Sequence, residues 1–224
     1  MKHFPADVQH YFSRLKKNNN RLWFEKHRSE YQLKVLEPAL EFVATVGGKI
    51  QKFAPKIIAD PRVDKSLFRI YRDVRFSKDK TPYKTHLAIF FWEGSAPKLE
   101  NPGFYIHISD DEIFIGSGFH IFPRKVLTAF RKSIQDKTTN KNLQLIMGKL
   151  KKKGFKVGGA HYKRMPAEYD QNIKNSHWLL HNGLSVWKSI PNNGRMTNIV
   201  EWSTQCYKDA DKLHKWLVKL SAGS

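Results

Sequence analysis

The chain has 224 residues, of which 40% are hydrophobic and 13% aromatic, so it can bury a sizeable core and is not a disordered polyelectrolyte. Its formal net charge of +20 favours acidic partners such as nucleic acid, phosphorylated metabolites or anionic membrane surfaces. A single cysteine, Cys206, excludes an internal disulfide framework, and no apolar run approaches the roughly 20 residues that cross a bilayer. The N-terminus has no apolar stretch of a signal peptide, so we expect a cytoplasmic protein without a transmembrane segment.

The first third of the sequence predicts three helices. Residues 7–17 place Val8, Phe12 and Leu15 on one face, which is the spacing of an amphipathic helix. Three asparagines at 18–20 then end this helix and supply a cap for a second one, which carries Trp23, Phe24, His27 and Tyr31. Pro38 suits the first turn of a third helix, whose expected inner face is Leu40, Val43, Ile50 and Phe53. Residues 54–66 are expected to form a loop.

Strand patterns cluster in the middle of the chain. Residues 86–92 are mostly apolar at both odd and even positions, which predicts a strand covered on both faces. Residues 104–109 and 112–119 flank Asp110 and Asp111, and a short polar turn between two such runs predicts a β-hairpin. These segments together predict an antiparallel sheet.

The last hundred residues predict further helices. A helix after Pro123 would turn its apolar residues inward, with Lys125 and Lys132 on the opposite face. A second helix at 143–153 would end at Gly154, with a short strand at 155–157 behind it, and a long amphipathic helix is expected at 197–220. Helices at both ends around antiparallel strands predict a single α+β domain over residues 1–224.

The most unusual segment is residues 68–84, called here the central motif. It holds six cations and two carboxylates, with apolar residues threaded between them. Guanidinium groups that share a wall with aromatic rings are partly desolvated, so they must pair with carboxylates or hold an anionic ligand. The motif therefore indicates either an anion-binding site or a structural ion-pair network. The expected anion-binding side chains are Arg69, Arg72, Arg75, Lys78, Lys80 and Lys84, with Asp73, Asp79, Tyr71 and Tyr83 orienting them.

A second cationic pair lies far along the chain. Lys163 and Arg164 are followed by a proline and a tyrosine, as in the central motif. If the fold brings them to the motif, two carboxylates cannot neutralise all the cations, and a concave, positively charged site for an anion is expected. The alternative is that half of these side chains point into water.

The sequence R-I-Y-R-D-V-R-F-S-K-D-K-T-P-Y-K at residues 69–84 resembles the hallmark of a family of conserved hypothetical proteins, a domain of unknown function found in bacteria and fungi. Further stretches fit the same family in order, at residues 15–24, 102–105, 116–118 and 163–170. The resemblance covers nearly the whole chain and implies a single domain, and it supplies no reaction.

Other candidate residues carry weaker patterns. His177 and His181 lie four apart on an expected helix, but a metal site would need a third ligand, so no metal or cofactor is predicted. His86 and His107 lie on expected strands and could orient a ligand or transfer protons, or serve only as structural histidines. Ser77 has no adjacent base, so no catalytic nucleophile is assigned.

Two functions of different class follow from these observations. The leading hypothesis is a module that binds a polyanion, most simply nucleic acid, since residues 124–164 hold 13 Lys and Arg against one acid. The alternative is an enzyme acting on a small phosphorylated or carboxylated substrate in the motif, with Asp73 or Asp79 as acid–base or metal-binding group. The sequence decides neither enzymatic activity nor oligomeric state.

Overall fold

A computed structural model describes residues 3–223. The helices are α1 (Ala6–Lys17), α2 (Arg21–Lys26), α3 (Arg28–Tyr31), a π-helical segment (Gln32–Leu36), α4 (Glu37–Gln51), α5 (Arg124–Gln135), α6 (Lys137–Lys152) and α7 (Ile199–Ala222), with 3₁₀ turns at Lys98–Glu100 and Ser176–Leu180. The strands are β1 (His86–Trp92), β2 (Gly103–Ser109), β3 (Glu112–Phe119), β4 (Lys156–Ala160) and β5 (His181–Pro191). The predicted α+β class is confirmed.

The strands form an antiparallel sheet in the order β1-β2-β3-β5-β4. The predicted strand at 86–92 and the hairpin around Asp110 and Asp111 are confirmed. The sequence analysis missed β5, whose run of His, Asn and Gly at its start has little strand propensity. Its neighbours in the sheet supply the pairing that the local sequence does not favour. At Gly183 the backbone of another segment approaches so closely that an added Cβ would lie 2.1 Å from the carbonyl oxygen of His120.

The chain divides into two compact units, which are described separately. The first contains the described part of Met1–Phe91, together with Tyr105–Ile115 and Ser189–Cys206. The second contains Trp92–Phe104, Gly116–Lys188 and the described part of Tyr207–Ser224. The expectation of one domain over residues 1–224 stays a prediction.

In the first unit, α1 buries Val8, Phe12 and Leu15 as predicted. The predicted inner face of α4 was wrong in part, because Leu40 lies at the edge of the buried face and Phe53 lies beyond the helix end at Gln51, so both are only half-buried. The face that α4 does bury consists of Ala39, Phe42, Val43, Val46, Gly47 and Ile50.

In the second unit, α5 buries Val126, Phe130 and Ile134 as predicted, whereas Leu127, also expected to point inward, is only half-buried. Helix α6 begins at Lys137, six residues before the predicted start, because the Asp136 carboxylate caps it by accepting the Thr139 N–H at 2.7 Å. Its first turns are polar, so they carry no apolar periodicity. The predicted glycine at the end of this helix is confirmed, since Gly154 has a φ of +83°.

The long C-terminal helix is confirmed as α7, two residues further along the chain than predicted. In the second unit its buried face includes Tyr207, Ala210, Leu213 and Leu217, beside a fully buried His214 whose Nε2 lies 2.9 Å from Glu93 Oε2. Within residues 3–223, no helix combines the length and apolar character needed to cross a membrane.

Candidate anion-binding site

The central motif forms neither a helix nor a regular strand. Tyr71 and Tyr83 face each other in an antiparallel backbone bridge. On either side of that bridge, the Arg72 N–H donates to the Pro82 carbonyl (2.9 Å) and the Lys84 N–H to the Ile70 carbonyl (2.8 Å). The motif is therefore an irregular hairpin, and residues 73–81 are its loop, called here the motif loop.

Two ion pairs hold the motif loop, one within it and one from the preceding Arg72. Arg72 Nη1 lies 2.5 Å from Asp79 Oδ2 and also donates to the carbonyl and hydroxyl oxygens of Thr81. Asp73 accepts from Arg75 Nε at 3.0 Å and from Arg75 Nη2 at 2.7 Å. The two carboxylates thus bond to two of the arginines that they were expected to orient.

These bonds also fix the charge state of the carboxylates. Hydrogen bonds from Arg75 lower the pKa of Asp73 to about 2. The Thr81 N–H and then the Arg72 side chain lower the pKa of Asp79, also to about 2. Both groups are ionised at neutral pH and are weak bases, so neither suits proton abstraction.

Three consecutive asparagines connect the N-terminal helices to the motif. The Asn19 side chain clamps the backbone of Tyr83: its Nδ2 donates to the Tyr83 carbonyl (2.9 Å) and its Oδ1 accepts the Tyr83 N–H (3.1 Å). Asn18 Nδ2 donates to the Arg14 carbonyl, and Asn20 Oδ1 accepts the Trp23 N–H as the predicted cap of α2. The clamp was not predicted, although residues 15–24 and the motif belong to the same resemblance.

Aromatic rings pack against the two tyrosines of the hairpin. Phe24 stacks on Tyr83 with ring centres 4.2 Å apart and an interplanar angle of 23°. Tyr71 lies 5.4 Å from Tyr83. Tyr83 is buried, whereas Tyr71 is 46% exposed, so one tyrosine of the motif packs inside and the other reaches the surface.

A cleft of about 350 Å³ lies beside the hairpin. It is lined by Lys16, Asn19, Arg72, Asp79, Thr81, Tyr83, Lys84, Thr85 and His86. Of the predicted site residues, Arg72, Asp79, Tyr83 and Lys84 therefore share one cleft. Three lining cations face one lining carboxylate, an excess of two positive charges. Arg69, Arg75, Lys78 and Lys80 are exposed and are not among its lining residues.

The tip of the motif loop carries an exposed aromatic ring. Phe76 is 97% exposed, the largest value for an apolar side chain in residues 3–223. The Arg75 guanidinium lies 5.8 Å from the centre of that ring. Phe76 is one of the apolar residues threaded between the charges of the motif, and the fold turns it fully to solvent.

Two histidines meet at the edge of the cleft. The ring centres of His86 and His107 are 5.1 Å apart, and His107 Nε2 lies 3.2 Å from Glu112 Oε1. Burial, followed by the charges of His107 and Lys84, lowers the pKa of His86 to about 4, so its ring is neutral at neutral pH. The sequence named both histidines, but only the pairing of β1 with β2 brings them together.

The remaining predicted cations lie in the second unit. Lys163 and Arg164 are exposed, as are Lys125 and Lys132 on α5. Their convergence with the central motif stays a prediction.

The expected helix carrying the histidine pair was wrong, because Ser176–Leu180 is a 3₁₀ turn and His181 begins β5. The ring of His181 instead packs 4.9 Å from Trp178. In the described part of the chain, no three His, Cys, Asp or Glu side chains converge to hold a metal ion.

The fold and this geometry define a basic α+β protein with a cationic cleft and an exposed aromatic loop. The chain belongs to the family described as conserved hypothetical protein (DUF2461), whose match covers residues 7–216. That description names no activity. No curated protein matches the chain.

Proposed function

We propose that this protein binds single-stranded nucleic acid through the motif loop. The observation that carries the proposal is the 97% exposure of Phe76 at the tip of a cationic loop. An exposed ring surrounded by cations is the arrangement that single-strand binders use, since bases stack on the ring while phosphates meet Lys and Arg. Stacking of this kind contributes about 1–3 kcal/mol per base.

The charge of the central motif and the order of its loop support the same function. Residues 69–84 contain six cations and two carboxylates, which leaves a balance of +4. Because Arg72 and Asp79 close the loop and Lys80 Nζ bonds to the Val74 carbonyl at 3.0 Å, the loop loses little conformational entropy when it binds. The basic segment 124–164 would add non-specific phosphate contacts.

The test is a fluorescence titration with single- and double-stranded oligonucleotides at several salt concentrations. We expect preference for single strands and an affinity that falls steeply as salt rises. Phe76→Ala should weaken single-strand binding by roughly 5- to 150-fold, which corresponds to about 1–3 kcal/mol, without changing stability. Leu33→Ala is the matched control, because Leu33 is 63% exposed and lies in the π-helical segment.

Three results would reject this function. One is no binding of any oligonucleotide at about 50 mM salt, and another is a Phe76→Ala variant that binds single strands as tightly as the original protein. The third is binding to anionic lipid vesicles with none to oligonucleotides, because basic loops with an exposed aromatic ring also attach to such surfaces.

The cleft favours a second candidate, an enzyme acting on a small phosphorylated or carboxylated substrate. Its volume of about 350 Å³ suits one small molecule, and its lining carries more positive than negative charge. Asp79 lines this cleft but is a weak base, so Asp73 and Asp79 would hold arginines and not transfer protons. Incubation with a panel of phosphate monoesters, followed by measurement of phosphate release, tests whether the enzyme is a phosphatase, and no turnover of any member would reject that activity.

A further inference from the structure

We propose that the cleft binds a small ligand that carries both a phosphate group and a hydroxyl group. The phosphate would contact Lys16, Arg72 and Lys84, and His86 would accept the hydrogen bond of the hydroxyl. This inference rests on the cleft of the second candidate function, and it is independent of nucleic-acid binding by the motif loop.

The first argument is the state of Lys84. This side chain is half-buried, and burial lowers its pKa. Its ammonium donates to the Arg69 carbonyl oxygen at 2.9 Å and lies 5.4 Å from the centre of the Phe68 ring, and the charge of Asp64 offsets only part of the pKa shift that burial and Arg69 cause. An ammonium has three donors, so two remain for a ligand oxygen. A desolvated cation of this kind attracts an anion.

The second argument is the use of the lining carboxylate. Asp79 already accepts from the Arg72 guanidinium, the Thr81 N–H (2.9 Å) and the Thr81 hydroxyl (3.0 Å). Its oxygens are therefore already engaged by Arg72 and Thr81. The third cation, Lys16, is positioned by Asp110, whose Oδ1 lies 3.2 Å away and which is not a lining residue.

The third argument is the neutral ring of His86. His107 from β2 and Lys84 both act on this ring, and Lys16, Arg72 and Asp79 line the same cleft. Burial and, after it, the nearby positive charge keep the pKa of His86 low, so the ring adds no charge to hold the phosphate.

A neutral imidazole has one donor and one acceptor nitrogen, and the acceptor suits a hydroxyl proton. Glu112 positions the neighbouring His107, whose Nε2 lies 3.2 Å from Glu112 Oε1 and whose ring packs 5.1 Å from the ring of His86. The cleft would therefore select phosphorylated alcohols over phosphates that lack a hydroxyl group.

The test compares three probes by isothermal titration calorimetry and by the ¹³C signal of the labelled His86 ring. Glycerol 3-phosphate has both groups, propyl phosphate lacks the hydroxyls, and glycerol lacks the phosphate. We expect glycerol 3-phosphate to bind about 2- to 12-fold more tightly than propyl phosphate and glycerol not to bind, since a neutral hydrogen bond contributes about 0.5–1.5 kcal/mol.

Variants separate the two halves of the site. Lys84→Gln should weaken both phosphates about tenfold or more, whereas His86→Gln should weaken glycerol 3-phosphate to the level of propyl phosphate. Lys78→Gln is the control, because Lys78 is an exposed cation of the same motif that does not line the cleft. Phe76→Ala should leave both phosphate affinities unchanged. The ligand proposal for the cleft and the nucleic-acid proposal for the motif loop can therefore be rejected independently of each other.

Three results would overturn the proposal: no binding of either phosphate at ligand concentrations of about 10 mM, unchanged phosphate affinity of the Lys84→Gln variant, or equal affinity of the original protein for the two phosphates. If the His86→Gln variant does not fold, the role of His86 is tested by the ¹³C signal of its ring in the original protein. A ring signal that stays in place at saturating glycerol 3-phosphate would then reject that role.

Discussion

Removing the Asn19 clamp should loosen the central motif without disturbing the helices around it. Asn19→Ala deletes both hydrogen bonds to the Tyr83 backbone, one at 2.9 Å and one at 3.1 Å. Each such bond contributes about 0.5–1.5 kcal/mol, and a buried partner left unsatisfied costs about 1–3 kcal/mol. Tyr83 is buried, so we expect a loss of about 2–4 kcal/mol.

The neighbouring asparagine is the matched control. Asn18 is exposed, and its side chain makes one hydrogen bond, from Nδ2 to the Arg14 carbonyl at 3.0 Å. Asn18→Ala should therefore cost less than about 1 kcal/mol. The two variants remove the same atoms from adjacent positions, so a difference between them reports the clamp.

Urea unfolding gives the stability change, and amide hydrogen exchange shows where it falls. The Tyr83 N–H, which the clamp protects, should exchange about 10- to 100-fold faster in Asn19→Ala and at its original rate in Asn18→Ala. Equal exchange of this amide in the two variants would refute the reasoning, because the clamp would then contribute nothing to the order of the hairpin.

Three further predictions concern pH, backbone strain and charge. The pKa of Asp79 lies at about 2 in the folded protein and near 3.9 in the unfolded chain. Its contribution to stability is therefore complete above about pH 4 and is lost as the pH falls towards 2. A ¹³C titration of this carboxyl group with a midpoint near pH 4 would contradict this prediction. Gly118→Ala should cost about 2–5 kcal/mol in urea unfolding, because φ is +146° and the new Cβ would lie 2.3 Å from a carbonyl oxygen of β5; a loss below about 1 kcal/mol would be inconsistent. Replacing Lys125 and Lys132 together by Gln should reduce the salt dependence of oligonucleotide binding by about two phosphates, and an unchanged log–log slope would exclude α5 from the interface.

The regular elements could be predicted because their buried residues recur at regular spacing along the sequence. Helix α5 repeats apolar residues every three or four positions, and β1 is apolar on both parities, so either pattern identifies its element without tertiary information. The polar first turns of α6 and the His-Asn-Gly start of β5 carry no such period. Those elements depend on a cap or on neighbouring strands, which a linear pattern does not reveal.

The candidate site was predictable in part for a related reason. The composition of the central motif named Arg72, Asp79 and Lys84, which do share the cleft. The sequence did not name Lys16, and it named His86 only as a candidate on a strand, because α1 and β1 reach the cleft only through the tertiary fold. Nor could it show that the carboxylates would bond to the arginines inside one short loop, since that depends on the hairpin bend.

The asparagine clamp also has a consequence for the order in which the protein folds. Asn19 and Tyr83 are 64 residues apart in the chain, so their contact requires a long loop to close before it returns any stabilisation. The motif should therefore acquire its fixed shape only after the N-terminal helices are in place. A peptide of residues 68–84 would carry the same charges but lack the clamp and the Phe24 ring, and it should behave as a flexible cationic chain.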